Sequence, residues 1–176
     1  MPGDIELDEL DQALLAAMHD HPRAGALELS RILRVARATV QARLKRLEDS
    51  GVIAGYEPRI GLAAAGFGVQ AFVTLEIAQG ALDRVSAELA AIPGVLEAYA
   101  TTGSGDVVCH IAAESHERLQ QTLIELNHSG VVQRSTSVVA LSTVVPYRVL
   151  PLLQTRRPPG RSTKAPAFRR SGPVSG

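Results

Sequence analysis

The 176-residue chain has little aromatic surface, with three Phe, three Tyr and no Trp. Single-stranded nucleic acid is held largely by stacking bases on rings, so that mode of recognition is excluded. A single cysteine excludes an intrachain disulfide framework and an all-cysteine metal site. No apolar run approaches the ~20 residues of a membrane span, and the acidic opening MPGDIELDELD is unlike a signal peptide. The expectation is a cytoplasmic protein. Charge of one sign is not in excess either: 18 Lys+Arg face 18 Asp+Glu. A uniformly basic coat is excluded, though a local basic face is not. Also missing are a phosphate-cradling glycine loop, a nucleophile elbow, a carboxylate pair and metal-ligand spacing among the five histidines. No enzyme and no cofactor is expected.

What is present is unevenly distributed. The final stretch 155–176, TRRPPGRSTKAPAFRRSGPVSG, holds Arg156, Arg157, Arg161, Lys164, Arg169 and Arg170 and no acid. The preceding 154 residues therefore carry a net charge of −6. Rich in Pro, Gly and Ser, the stretch reads as disordered. It fits either a solubilising extension or an element attracted to DNA phosphates.

The first sixty residues have helical periodicity. Leu7, Leu10, Leu14 and Met18 form one stripe, with Asp8 as N-cap and Asp11 in the first turn. A second helix is expected over about 26–33, with Gly25 as its cap and Leu29, Ile32 and Leu33 inward. A third runs from about Arg37 to Asp49, with Val40, Leu44 and Leu47 inward and Gly51 at its C-terminal end. Between Leu29 and Leu47 there is no acid, but six cations: Arg31, Arg34, Arg37, Arg43, Lys45 and Arg46. Two short helices joined tightly, the second basic outward, describe a helix-turn-helix. Arg37, Ala38, Thr39, Gln41 and Ala42 are then the candidates for base edges. Gln41 suits adenine, and Thr39 or Ala42 suits a thymine methyl. Arg43, Lys45 and Arg46 are candidates for phosphates. The same pattern also fits a three-helix domain with a solvated basic face.

A Gly- and Pro-punctuated stretch, GVIAGYEPRIG, follows. Beyond it the pattern reads strand (Val69 to Ile77), helix (Leu82, Val85, Leu89, Ile92), strand (Val95 to Thr102) and strand (Val107 to Ala113). A helix capped by Ser115, with Leu119, Leu123 and Leu126 inward, and a last extended segment from Val131 to Val145 complete it. The order βαββαβ is the ferredoxin-like split motif, with an antiparallel sheet and both helices on one face. The fold class is α+β. The expected division is 1–53 for DNA binding, 54–66 as linker, 67–152 for ligand sensing and oligomerisation, and 153–176 as basic tail. The helix-free sheet face, with Phe72, Val108 and His110, would be bare in a monomer. A homodimer through the sheets is expected.

Four stretches carry a resemblance: LDELDQALLAAM (7–18), RATVQARLKRLEDSGVIAGYEPRI (37–60), IPGVLEAYATTGSGD (92–106) and RSTSVVALSTVV (134–145). In this order and spacing they resemble the Lrp/AsnC family, the feast/famine transcriptional regulators of bacteria and archaea. The resemblance spans about residues 5–152. It implies sequence-specific binding of double-stranded DNA, dimers that assemble further, often to octamers, and modulation by an amino acid or related metabolite. It places the effector between subunits beside a Thr-Gly-x-x-Asp turn, here Thr102, Gly103, Ser104, Gly105 and Asp106. The family's polar residue in the last strand falls near Ser135, Thr136 and Ser137. Backbone N–H groups of such a turn suit a carboxylate, and Asp106 suits an ammonium. The turn fits a plain glycine hairpin as well.

Three positions depart from the family pattern. Arg34 stands where the interhelical turn usually has glycine, and a phosphate contact would account for it. Ala36 replaces a serine cap, and Gly105 stands where an aromatic is usual. Cys109, alternating with Val107 and Ile111, reads as a buried structural thiol, and His110 as a packing residue. Two other functions fit the architecture: a metabolite-sensing module with weakened DNA binding, and a siroheme-decarboxylase-like enzyme using His110 and nearby arginines.

Overall fold

The computed structural model describes residues 5–128 and 130–155. Two compact units are formed. One comprises the chain up to Glu57 together with the chain from Tyr147 onward, and the other Pro58–Pro146.

The first unit is built on α1 (Glu9–Asp20), α2 (Ala26–Leu33) and α3 (Arg37–Asp49). Asp8 caps α1 in a reciprocal capping box: its carboxylate accepts from the Asp11 N–H, and the Asp11 carboxylate accepts from the Asp8 N–H. Leu7, Leu14, Ala17, Leu29, Val40 and Leu47 are buried together as the core. Ile32, expected inward, is 41% exposed, because α2 has only eight residues and turns one narrow stripe to the core. After α3 the chain is capped at Ser50, and Gly51 takes φ +74°.

A sixth helix, α6 (Leu150–Thr155), belongs to this unit: it packs on α1 and adds Leu153 to the core. The expected boundary at 152 therefore falls inside a helix. Apolar burial of Leu153 outweighs the composition change that suggested it. The remaining tail, 156–176, lies outside the described residues.

The second unit follows β1 (Val69–Ile77), α4 (Leu82–Ala91), β2 (Val95–Ala100), β3 (Val107–Ala113), α5 (His116–Asn127) and β4 (Val132–Ala140). The antiparallel sheet has the order β2-β3-β1-β4, the ferredoxin-like arrangement. Ser115 caps α5 as expected. The last strand stops at Ala140 rather than near Val145, because its partner Gln70 lies next to the start of β1 and the ladder has no further neighbour.

Register sorts the residues into two faces. Val73, Cys109 and Ser137 share a row with Ala98, and Leu75, Val107 and Ser135 share one with Ala100. Val73, Leu75, Val107, Cys109 and Ile111 on this face meet Val85 and Leu89 of α4 and Leu119 and Leu126 of α5 in one core. The opposite face has the rows Glu97–His110–Phe72–Val138 and Tyr99–Val108–Thr74–Thr136. Phe72, Tyr99 and Val138 on it are 47%, 59% and 64% exposed, well above the level of core side chains. Among the described residues, no helix is long and apolar enough to cross a membrane.

Candidate nucleic-acid interface and effector turn

The α2–α3 pair has the expected helix-turn-helix form. Arg34 ends α2 in the left-handed region (φ 54°, ψ 43°), and its N–H reaches back to the Ser30 and Arg31 carbonyls. It is the one non-glycine residue with positive φ among the described residues. Glycine would take this conformation without a Cβ clash, whereas arginine pays about 1 kcal/mol. Ala36 opens α3 with no side-chain cap, and no acid stands in its first turn. The first N–H groups of α3 are thus left for another acceptor, beside the cation Arg37. Such a helix start attracts a phosphate. Arg34, Arg37, Ala38, Gln41, Ala42 and Lys45 are exposed, and Thr39 is half-buried. The base-reading candidates are therefore accessible to solvent, Thr39 only in part.

Two expected phosphate contacts are used inside the protein. Arg43 Nη1 donates to Asp8 at 2.7 Å and to Asp11 Oδ1 at 2.8 Å, and Arg46 Nη2 donates to Asp11 Oδ2. The Asp11 side chain is fully buried. Two arginines must neutralise it there, since a buried lone carboxylate would be costly. Burial alone would push the Asp8 carboxyl up, but the Arg43 guanidinium outweighs it and holds the group below its ordinary value of 3.8. Arg43 rises correspondingly, its two carboxylates overcoming the cost of burial. These arginines fasten α3 to the start of α1, so the guanidinium groups expected at phosphates serve instead as helix anchors. Lys45 pairs with Asp49 at 3.0 Å on the surface, an exposed pair that a phosphate can displace.

In the second unit, Thr102, Gly103, Ser104 and Asp106 are exposed in the β2–β3 turn, and Gly103 has φ +117°. Gly105 is buried for a specific reason. A Cβ there would lie 2.1 Å from Thr74 Cγ2, so the β1 threonine occupies the space a side chain at 105 would need. Asp106 is already partly engaged: its Oδ2 accepts the Ile77 N–H at 2.8 Å, at the bulge where the β1–β4 register shifts. Its N–H donates to Leu75 O. The carboxylate thus pins the end of β1 through one of its oxygens. Thr136 lies in the same row as Thr74, on the face that carries the turn's neighbour. Ser137 lies in the helix-facing row beside Val73 and drops out of the expected site, because successive strand residues point to opposite faces.

His110 stacks on Phe72, ring centroids 4.6 Å apart, with Nε2 3.0 Å from Gln70 Oε1 and Nδ1 3.5 Å from Glu97 Oε1. Cys109 is buried, its thiol donating to Val73 O at 3.6 Å, and burial pushes it up to about 11. It is a structural thiol. The Asp8–Asp11–Arg43–Arg46 cluster is the structural clamp of this unit that composition and period did not reveal. Its one sequence signal is Asp11 between Leu7 and Leu14 at core spacing.

Residues 7–54 match the model of a winged helix-turn-helix DNA-binding domain, and residues 70–150 that of the Lrp/AsnC ligand binding domain. The HTH-type transcriptional regulator AldR of Mycolicibacterium smegmatis is 32% identical over 146 residues, covering 78% of this chain and 85% of that one. The chain belongs to the Lrp/AsnC family. It is a DNA-binding transcriptional regulator and not an enzyme, as its relatives' names agree. The regulator Rv2324 of Mycobacterium tuberculosis is 30% identical over 141 residues, covering 79% of this chain and 95% of its own. Among solved structures, the L-Met complex of the regulator NMB0573 from Neisseria meningitidis has a TM-score of 0.78 at 25% identity, covering 85% of this chain and 99% of that one. The M. tuberculosis feast or famine regulatory protein Rv3291c, complexed with L-methionine, has a TM-score of 0.73 at 28% identity, covering 87% and 99%.

Proposed function

We propose that this regulator binds duplex DNA as a homodimer or larger assembly and that an amino acid taken up at the 102–106 turn modulates it. The reading rests on one observation above all. The exposed turn and Thr136 lie beside Thr74 on a sheet face whose Phe72, Tyr99 and Val138 are left uncovered by the chain's own helices. A second copy laid on that face would bury the apolar rows and close the turn's surroundings. The backbone of Gly103 and Ser104 would take the effector's carboxylate, and the oxygen of Asp106 not held by Ile77 would take its ammonium. Two related regulators were crystallised with L-methionine. The Thr74 methyl against Gly105 reshapes this wall, so the effector is to be sought among all amino acids.

Thermal unfolding of the full chain against an amino-acid panel tests the reading, because a ligand of the native state raises Tm with its concentration. Asp106→Asn is the matched variant: its amide oxygen still accepts the Ile77 N–H, but its charge is gone. The active amino acid should raise the Tm of the parent and not of Asp106→Asn. An equal rise in both would remove Asp106 from the site, and no rise with any amino acid would defeat the effector reading.

A further inference from the structure

We propose that Asp11 is a positioning residue for DNA reading. Its buried carboxylate acts through Arg43 and Arg46 to fix the rotation and axial register of α3 against α1, and so aims the base-reading face of α3. This rests on the DNA-binding role of the chain and extends it to a determinant that touches no DNA.

Three observations converge. First, the clamp is fully formed and directional. Asp11 Oδ1 accepts from Arg43 Nη1 at 2.8 Å, and Oδ2 accepts from the Asp8 N–H at 3.0 Å and from Arg46 Nη2. Arg43 also reaches the Asp8 carboxylate at 2.7 Å, so one guanidinium holds both the cap and the first turn of α1. The Asp11 side chain has no exposed surface, and among the described residues no buried side-chain N or O lacks a partner. Second, little else fixes α3. Of its thirteen residues only Val40 and Leu47 are buried, with Leu44 packed beside them in part. Apolar contacts are non-directional and tolerate a rotation or a small slide. The helix starts without a capping side chain at Ala36, so that end is not held either. Charge-assisted hydrogen bonds are the opposite, short and dependent on angle. Third, the clamped and the reading residues share the same stretch of helix. Gln41, Ala42 and Lys45 adjoin Arg43 and Arg46 in sequence and are exposed. A slip of one residue at Asp11 would turn Gln41 by about 100° and carry it about 1.5 Å along the axis. A bidentate contact to an adenine edge does not survive that displacement. Stability alone does not call for the arrangement, since apolar side chains of similar volume often replace a buried carboxylate and its arginines at no cost. A defined register is what the charged cluster supplies and an apolar trio would not.

The test uses the full chain, a duplex that it selects from a random pool, and a scrambled duplex of the same composition. Two variants are compared with the parent. Asp11→Asn keeps the shape of the side chain but cannot accept from both arginines and Asp8. The triple variant Asp11→Leu, Arg43→Met, Arg46→Met fills the same space with apolar atoms and restores folding where Asp11→Asn loses it. Circular dichroism sets a temperature at which each protein is folded, and fluorescence anisotropy across salt then reads its affinity for both duplexes. One well-formed bidentate base contact discriminates by roughly 5- to 150-fold. Both variants should therefore lose at least ~10-fold of the preference for the selected duplex. In Asp11→Asn, which keeps every cation, the slope of log affinity against log salt should not fall. Undiminished preference in either folded variant would overturn the positioning role, because the clamp would then serve folding alone. Failure of both variants to fold would overturn it in the same way. Preference kept, with a salt slope lowered by about 1–2 in the triple variant, would overturn it too and return Arg43 and Arg46 to the phosphates. Failure of the parent to select any duplex would overturn the DNA-binding reading as well.

Discussion

At the scale of single residues, the informative positions are those where the chain accepts a cost. Arg34 sits in the left-handed region with φ 54°, where glycine would be free of strain. Arg34→Gly should leave stability unchanged or raise it by up to about 1 kcal/mol, relief of strain being partly offset by glycine's larger unfolded-state entropy. If the guanidinium meets a phosphate, the same change should lower DNA affinity and reduce the salt slope by about 1. Denaturant unfolding and anisotropy check the two halves separately, and a variant that binds as tightly as the parent would remove Arg34 from the interface. Gly105 is the converse, a residue whose smallness is required by a neighbour. Gly105→Ala should cost about 1–3 kcal/mol by overpacking against Thr74. Thr74→Ser removes the methyl 2.1 Å from the new Cβ, and the next atoms, Leu75 O and Thr74 Cβ, lie at 3.6 Å. The double variant should therefore recover most of the loss, a coupling that a thermodynamic cycle reads directly.

At the scale of elements, what could be foreseen was local and what could not was long-range. The helices came from apolar spacing and caps: Asp8 before α1, Gly25 before α2, Ser115 before α5. The strands came from alternation, and the faces of Phe72 and His110 from period two. The partners of Asp8 and Asp11 are 32–35 residues away, on α3, and no periodicity records such a pairing. That is why the sequence offers Arg43 and Arg46 as phosphate contacts, although their guanidinium groups turn to Asp8 and Asp11 at the start of α1. Thr136 and Ser137 were equally acceptable as sequence neighbours, and only the register with Thr74 and Val73 separates them. The clamp has a pH signature. Asp8 titrates below its ordinary 3.8 when folded, so protonation favours the unfolded chain. Its contribution is complete above the unfolded value and is lost as the pH falls through the folded one. Asp8→Asn keeps an N-cap oxygen but has no charge to lose. Between about pH 5 and about pH 3, the Tm of the parent should fall more steeply than that of Asp8→Asn. Parallel curves would show that the Arg43 pair adds nothing to folding.

At the scale of the whole molecule, the sheet has one face closed by α4 and α5 and one face without helices. Its open rows combine apolar and polar side chains: Phe72 stacked on His110, Val108 beside Thr74, and Tyr99 and Val138 more than half exposed. A face of this kind is marginal in water and gains from a self-complementary partner, since one two-fold axis brings the same rows together. Stability would then depend on protein concentration, because association pulls the unfolding equilibrium toward the folded state by mass action. The parent should show a Tm that rises with concentration and a light-scattering mass that is a multiple of one chain. Phe72→Glu removes the ring at the centre of the row and places a carboxylate where a second copy would have to desolvate it. The variant should fold, because Phe72 is 47% exposed and outside the core that meets the helices. It should instead run nearer the mass of one chain, lose the concentration dependence of Tm, and bind DNA half-sites without the gain that two linked recognition helices provide. The last effect separates assembly from folding: a helix-turn-helix intact in the monomer keeps weak duplex binding at low salt. An unchanged mass for Phe72→Glu would place the contact between copies on another surface. The exposed apolar side chains of Leu141, Val144 and Tyr147, beyond β4, would then be the next to carry the substitution.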